Sequence, residues 1–433
     1  MIRIPEVWVL VQRLLSVFTK PSQELFLNIL EGWILCPCRR FVTSIYLFGD
    51  PGRVHAHDAY HRFFRAAAWP TGALFRALAI LVVGLFGHSK YLWVIGDDTV
   101  HKKTGRKVAG AKYCRDAVRS TSKRTVYAWG LQIVLLCLEI RPPWGGEPLA
   151  LPINMRLYRK RPNKKVGKTV LELMQEMIQE VKIWFPDRRV YFVGDGFYAS
   201  LAGKQKDGAH VISRIRCDAA LYRMAPSPVP GKRGRRPCRG SRLPTPAQIA
   251  TTAKTWKSVE TLERGQVRTR LVHVRRVVWH SVLRGRYINL VISRDPNRVE
   301  KDDFFFSTDL DLSPGLIISR FADRWPIEDT FRNVKQFLGI EEPQSWKNLG
   351  PERVAAVGYA IYSLVWAWFL KSGDHKAFPD RPWYQTKARP SFQDALAGIR
   401  HQIWLGRISP TVLQTPELHK FTELLIDSIS RAA

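Results

Sequence analysis

The sequence predicts an α/β fold in which a mixed β-sheet is flanked by helices. Between residues 91 and 215, apolar segments rich in β-branched and aromatic residues surround one amphipathic helical segment. Two of the apolar segments, 94–98 and 192–196, run through a glycine into an aspartate. Open α/β sheets place their ligands at such carboxyl ends of strands. Helical segments precede and follow this block, as expected when helices cover a sheet.

The predicted sheet begins with "YLWVIGD" at 91–97 and continues with segments 125–140 and 147–158. A helix follows over 168–184, where apolar residues recur at helical spacing. Two short apolar strands, 190–195 and 210–215, complete the block. This order predicts a three-strand meander that is extended by a βα unit.

The remaining sequence divides around this block. Residues 1–88 alternate amphipathic and apolar segments and predict an N-terminal helical domain. Residues 217–309 predict a basic loop, dense in Pro, Gly and Arg, followed by a β-rich insertion with strands at 267–280 and 285–296. Helical sequence resumes near Pro314, so the α/β domain comprises 89–216 and 310–375. Residues 376–433 are expected to form a C-terminal helical region.

The charge of the chain indicates a polyanionic partner. The chain contains 68 Lys and Arg residues and 37 Asp and Glu residues, which gives a formal net charge of +31. Such an excess repels itself unless a polyanion neutralises it, so nucleic acid is favoured and a membrane surface is the weaker alternative. The apolar runs at 73–86 and 355–370 are shorter than the ~20 residues that a bilayer requires. We therefore expect no membrane-spanning segment, no secretory signal, and a cytoplasmic location.

The two aspartates that follow strands are the first candidate site. If the two strands are neighbours, Asp97 and Asp195 lie about 5 Å apart at one sheet edge. Two ionised carboxylates at that distance repel unless a cation lies between them. Hard oxygen ligands of this kind suit Mg²⁺ or Mn²⁺. Asp98, the next residue, is the alternative to Asp97.

A third carboxylate comes from the segment "RWPIEDTFRNVKQFLG" at 324–339. Its apolar residues fall on one helical face, and a second face forms a polar ridge. With Pro326 as the first helical residue, Glu328 lies in the first turn, where the helix dipole favours a carboxylate. The ridge consists of Arg324, Glu328, Arg332 and Lys335.

These motifs together resemble the DDE-type transposases of bacterial insertion sequences. Cut-and-paste members carry a signature of tyrosine, two residues, arginine, three residues, glutamate, six residues and lysine. The matching positions here are Phe321, Arg324, Glu328 and Lys335, with phenylalanine in place of tyrosine. The resemblance implies an RNase H-like fold.

The resemblance also implies an activity and its cofactors. Asp97, Asp195 and Glu328 would hold two Mg²⁺ or Mn²⁺ ions in each active site, where phosphodiester bonds at the ends of a mobile element are cleaved. The freed 3′ hydroxyl would then be joined to target DNA. The partners implied are double-stranded DNA, as terminal inverted repeats and target, and a second copy of the chain, as a homodimer on paired ends in the nucleoid.

Several side chains are candidates for contact with DNA. Arg324, Arg332 and Lys335 would hold phosphates, and Phe321 would pack or stack on a base. The basic loop supplies Lys232, Arg233, Arg235 and Arg236, and the N-terminal helices would read the terminal repeats. Some members of the family cut through a hairpin and hold a flipped base with an aromatic side chain. Trp256, Trp279 and Trp325 are all candidates for that role.

Two other functions fit the same sequence. One is a DNA-binding protein that keeps the transposase fold without catalysis, and the presence of all three carboxylates argues against it. The other is a metal-dependent nuclease that hydrolyses DNA without joining it. The formation of joined products would distinguish it from a transposase.

Overall fold

The computed structural model describes residues 5–116, 119–121, 123–160, 167–205, 208–227, 237–373, 375, 387, 389–408 and 416–431. Lys232, Arg233, Arg235 and Arg236 lie outside the described residues. The helices are α1 (Pro5–Leu15), α2 (Lys20–Leu35), α3 (Val42–Gly49), α4 (His57–Arg65), α5 (Thr71–Phe86), α6 (Val170–Trp184), α7 (Pro246–Thr252), α8 (Pro314–Ala322), α9 (Pro326–Gln336), α10 (Gly350–Ser372), α11 (Phe392–Arg407) and α12 (Pro416–Arg431).

The strands are β1 (Tyr91–Lys102), β2 (Lys112–Arg115), β3 (Tyr127–Ile140), β4 (Leu149–Tyr158), β5 (Arg189–Val193), β6 (Ala209–Arg214), β7 (Lys257–Glu263), β8 (Gln266–Val278), β9 (Tyr287–Arg294) and β10 (Asp303–Ser307). A short 3-10 helix, Tyr198–Gly203, follows β5.

The sheet has the strand order predicted for an RNase H-like protein. β4 pairs with β3 and β3 with β1, both antiparallel, which forms the meander. β5 then lies parallel to β1, and β6 lies parallel to β5. The crossover from β4 to β5 contains α6, whose first turn is closed by a capping box between Thr169 and Glu172. The mixed α/β fold class is therefore confirmed.

The β-rich insertion continues this sheet. β10 pairs antiparallel with β6, and β9, β8 and β7 follow in that order on the far side of β10. The insertion thus shares backbone hydrogen bonds with the central strands and forms one curved surface with them. Adjacent strands are rotated by about 20° to 25°, so β7 is turned strongly away from β5.

The N-terminal helices pack against the helices that follow the sheet. The Trp33 indole donates to the carbonyl oxygen of Leu338 at 2.7 Å. Arg353, buried in α10, donates to the carbonyl oxygens of Phe64 and Trp69. One apolar core extends from Val7 to Ile403 and includes both groups of helices. The helical segment and the sheet are therefore stabilised together.

The helix α10 is the central core helix of this arrangement. Among the described residues it is the one helix long and apolar enough to cross a membrane, and 94% of its apolar window is buried inside the protein. Ser363 donates to the carbonyl oxygen of Pro152 in β4 at 2.9 Å. Apolar residues all round a helix are typical of a buried position.

Candidate active site

The two candidate aspartates lie on neighbouring parallel strands. Ile95 of β1 pairs with Val193 of β5, so Asp97 and Asp195 follow two residues later at the same edge of the sheet. The condition on which the proximity of the two aspartates depends, that the two strands are neighbours, is met. The main chain turns just after β5, where the carboxylate of Asp195 accepts the backbone N–H of Phe197 at 2.9 Å.

The glycine before each aspartate makes room for the ring of Phe192. A Cβ atom at Gly96 would lie 2.4 Å from that ring, and one at Gly194 would lie 2.8 Å from it. Neither distance allows a side chain. The glycine of each glycine-aspartate motif is therefore explained by packing, because the Phe192 ring occupies the space that a side chain at Gly96 or Gly194 would need.

Asp97 is the more buried carboxylate and carries an ion pair. Arg324 Nη1 donates to Asp97 Oδ2 at 2.9 Å, and both side chains are largely buried. The pKa of Asp97 is raised to about 7, mainly by burial and to a smaller extent by the charges of Asp195 and Asp98, while Arg324 opposes the rise. The site therefore concentrates negative charge that a cation would stabilise.

Asp98 points into a different environment. One carboxylate oxygen accepts the side-chain N–H of Gln132 at 2.7 Å, and the other accepts the hydroxyl of Tyr198 at 2.9 Å. Successive side chains of a strand point to opposite faces, so Asp97 and Asp98 diverge. Asp97 contacts the ridge on α9 and Asp98 does not, which favours the former as the ligand.

The polar ridge of α9 lies beside β1. The helix begins at Pro326, as predicted, and buries Ile327, Phe331 and Val334. Lys335 Nζ donates to Thr99 Oγ1 at 2.9 Å. Arg324 and Lys335 thus contact the same face of β1, Arg324 at Asp97 and Lys335 at Thr99.

Glu328 and Arg332 lie on the exposed part of the ridge. Arg332 forms an ion pair with Asp329 at 2.8 Å. Among the described residues, no three acidic, histidine or cysteine side chains are gathered into a metal-ligand set. The structure thus brings together Asp97, Asp195 and Arg324, and Glu328 as the third ligand stays a prediction.

A buried ion cluster lies at the turn between α8 and α9, and no sequence pattern predicts it. Asp323 and Glu139 are fully buried carboxylates, and Arg320 and Arg141 each contact both of them. The guanidinium of Arg320 also lies 4.3 Å from the ring centroid of Trp93. Arg324, which contacts Asp97, directly follows Asp323 of this cluster, so we expect the cluster to limit its movement.

An arginine-lined cleft of about 600 Å³ opens beside Asp195. One wall is the insertion and the other is α8 with the start of α9. Arg268 and Arg270 alternate on β8, where they contact Glu300 at 3.2 and 2.6 Å. The alternating "VRTR" pattern is the signal in the sequence that predicts this basic face. The arginines of the lining are Arg214, Arg264, Arg268, Arg270 and Arg324.

The aromatic candidates differ in their positions. Phe321 packs on Phe305, with ring centroids 4.9 Å apart, as expected for a packing role. Trp256 and Trp279 are half-buried and pack against the core. Trp325 is 44% exposed, lines the cleft and has the Arg264 guanidinium 4.4 Å above its ring. Of the three tryptophans, Trp325 is placed to contact a ligand in this cleft.

The topology and the acidic site define an RNase H-like protein. A model of the DDE superfamily endonucleases matches residues 13–286, and the chain belongs to that family. A comparison with proteins of curated function finds no significant match.

The chain is also similar to a solved structure, the piggyBac transposase synaptic complex with hairpin DNA. The sequences are 11% identical and the TM-score is 0.42. The similarity covers 95% of this chain and 76% of that chain.

Proposed function

We propose that this endonuclease is the transposase of a mobile DNA element. It cleaves phosphodiester bonds at the ends of the element and joins the 3′ hydroxyl to target DNA. The observation that carries the proposal is the pair of aspartates on neighbouring strands, with Arg324 and Lys335 aligned beside them. A carboxylate pair bordered by cations suits a substrate that carries both a metal-binding phosphate and a negatively charged backbone.

The donor set fits divalent cations. Asp97 and Asp195 offer hard carboxylate oxygens, and burial, with the charges of Asp195 and Asp98, raises the pKa of Asp97, so a bound cation would stabilise its ionised form. Glu328, on the adjacent ridge, is the proposed third ligand. Two Mg²⁺ or Mn²⁺ ions bound by these residues would supply an activated water and stabilise the departing 3′ oxygen.

The chain's own residues orient the DNA. Arg324 directly follows the buried cluster and presents its guanidinium beside Asp97, where it would hold a phosphate next to the scissile bond. Lys335 would hold a phosphate further along β1. No residue is required as a covalent nucleophile, since water attacks in the cleavage step and the freed 3′ hydroxyl attacks in the joining step.

Double-stranded DNA enters this reaction in two forms, the terminal repeats of the element and the target. The net charge of +31 favours both. The arginines of the cleft, whose lining also includes Asp195, Glu263, Glu300 and Asp303, would contact phosphates of the end that is being cut. Two ends must be processed together before they are joined to one target, so we propose a homodimer that acts on paired ends in the nucleoid.

The experiment uses a plasmid that carries the DNA flanking the gene for this chain. With Mg²⁺ or Mn²⁺ present, the wild type is expected to release the flanked segment and to form joined products. Asp97→Asn, Asp195→Asn and Glu328→Gln should abolish cleavage and leave binding of the ends almost intact, because each removes a ligand and no phosphate contact. Asp329→Asn is the matched control, since Asp329 is also acidic and adjacent on α9.

Four outcomes would contradict parts of the proposal. Binding of the ends without cleavage by the wild type would identify a DNA-binding protein without catalysis. Cleavage without joined products would identify a nuclease. Normal cleavage by Glu328→Gln would show that Glu328 is not part of the site. Loss of cleavage in Asp98→Asn, with activity retained in Asp97→Asn, would show that Asp98 is the ligand in place of Asp97.

A further inference from the structure

A second cavity, of about 500 Å³, lies beyond the far end of β1 from the aspartates. Three segments that are distant in sequence form its walls. They are the loop after β1 (102–108), the loop after α2 (39–41) and the loop between α9 and α10 (341–346). Since none of these segments belongs to the acidic site, the role of the cavity is separate from the positioning of Asp97 and Asp195.

Trp346 is the dominant side chain at the mouth of this cavity. Its side chain is 47% exposed, although its backbone is fixed by the N–H of Ala109, which donates to the Trp346 carbonyl oxygen at 2.8 Å. Lys347 Nζ lies 4.6 Å from the centroid of the indole ring. A large aromatic ring on a fixed backbone, next to a cation, suits a ligand with a flat π-face and a negative charge.

The walls are rich in positive charge. The loop after β1 reads "KKTGRK" from Lys102 to Lys107, and Arg39 lines the opposite wall. The loop is held in place by the Trp129 indole, which donates to the carbonyl oxygen of Gly105 at 2.9 Å. Lys102 Nζ is paired with Asp116 at 3.0 Å, and Lys103 Nζ donates to the carbonyl oxygen of Glu341 at 2.6 Å. The exposed cations that remain for a ligand at the cavity are therefore Arg39 on the wall and Lys347 beside Trp346.

The two acidic side chains of the lining are directed at backbone donors. Glu341 Oε1 accepts the N–H of Lys102 at 2.6 Å. Glu342 Oε2 accepts the N–H of Arg40 at 2.7 Å. Both carboxylates therefore close the loops around the cavity, and the lining carries Arg39, Lys102 and Lys103 against these two acidic residues.

The cavity lies on a continuous path from the acidic site. Along β1, Asp97 contacts Arg324, Thr99 contacts Lys335, and Lys102 contacts Glu341. At about 3.3 Å per residue, the end of β1 is roughly 17 Å from Asp97. A DNA strand that is held by Arg324 and Lys335 would reach the cavity within a few nucleotides.

From these contacts we infer that the cavity binds an unpaired nucleotide of the DNA strand that leaves the acidic site along β1, with its base stacked on Trp346 and its phosphate beside Arg39 and Lys347. Inside a duplex both faces of each base are covered by neighbouring bases, so away from the duplex ends the indole can stack only on an unpaired base. The inference rests on the proposed function, because it assigns part of the same DNA strand to this cavity.

The test compares binding of three DNA molecules in the Asp97→Asn background, which prevents cleavage. They are a blunt duplex with the element's end sequence and the same duplex with a three-nucleotide unpaired extension at its 3′ or its 5′ end. Trp346→Ala should weaken binding of one of the extended molecules by roughly 5- to 150-fold. Binding of the blunt duplex should be unchanged, and Trp346→Phe should restore much of the loss.

Tyr127→Ala is the matched control, because Tyr127 is an aromatic residue with 64% exposure that does not line the cavity. A 2-aminopurine base in the extension reports stacking directly: its fluorescence should be quenched by the protein with Trp346 and not by Trp346→Ala. Affinities of Trp346→Ala for both extended molecules that equal those of the protein with Trp346, or quenching that persists without the indole, would overturn the inference. Failure of the proposed function would appear differently, as absent cleavage by the wild type.

Discussion

Asp323→Ala tests whether the buried ion cluster positions the acidic site. The Asp323 side chain is fully buried, and its carboxylate contacts Arg141 and Arg320. Its removal leaves two guanidinium groups with Glu139 as the remaining carboxylate. Breaking a buried pair typically costs about 3 to 5 kcal/mol. Because Arg141 is 38% exposed and water can compensate it, we expect the lower end of that range, about 3 kcal/mol.

The functional effect follows from the position of Arg324, directly after the cluster. A displacement of this arginine by about 1 Å would reduce cleavage by on the order of 100-fold while the protein is still folded. Stability is measured by urea unfolding, followed by tryptophan fluorescence, and cleavage is measured at a temperature where both proteins are native. DNA binding, measured in parallel, should change little.

Asp329→Ala is the control for this prediction. Asp329 pairs with Arg332 on the same helix, but the two side chains are 34% and 57% exposed, so the loss should be below about 1 kcal/mol. If Asp323→Ala and Asp329→Ala cost the same stability, the buried cluster contributes no more than a surface pair. If Asp323→Ala is destabilised but cleaves at the wild-type rate, the cluster does not position Arg324.

Three further predictions concern the sheet and the DNA contacts. Gly96→Ala should destabilise the protein by about 1 to 3 kcal/mol in urea unfolding, because its Cβ would overlap the ring of Phe192. Gly196→Ala is the control and should be almost neutral, since the nearest atom to its Cβ lies 3.9 Å away. Lys335→Ala should weaken DNA binding and lower the slope of log affinity against log salt by about 1, and an unchanged slope would exclude a phosphate contact. Burial lowers the pKa of Lys103 to about 8, against the opposing charges of Glu341 and Glu342. Its positive charge is therefore lost as the pH rises through 8, and DNA affinity should fall between pH 7 and pH 9 in the wild type but less so in Lys103→Arg.

The elements next to the site could be predicted closely from the sequence. Their apolar periodicity and their end signals agree, as at Pro326, where a helix start and a first-turn carboxylate coincide. The similar glycine-aspartate motifs identified Asp97 and Asp195 as a candidate pair on the condition that their strands are neighbours, and the structure meets this condition. Local patterns sufficed here because each strand of this part of the sheet is buried and carries an apolar run of its own.

The continuation of the sheet through the insertion could not be predicted in the same way. The pairing of β10 with β6 joins segments about 90 residues apart, and ladder hydrogen bonds between backbone groups leave no mark on the side-chain pattern. The segment "DFFFS" of β10 is also too short to be distinguished from a loop with aromatic residues.

The buried cluster and the second cavity were missed for a different reason. Glu139 and Asp323 are charged residues in a strand and in a turn, and such residues are usually exposed. Their burial depends on arginines that are supplied by other segments, and a single sequence does not reveal which charges meet. Trp346 likewise has no special context in the chain. Its importance comes from the two distant loops that surround it.

The pairing of β6 with both β5 and β10 has a mechanical consequence. Ile212 pairs with Val193, two residues before Asp195, and on its other side with Ser307 of β10. A force on DNA that is bound to the insertion would therefore be transmitted through the backbone hydrogen bonds between β10, β6 and β5. These strands connect the arginines of the insertion to the aspartates without a flexible joint. We expect the cleft to keep its width when DNA enters, so that the duplex itself must bend or unpair to fit.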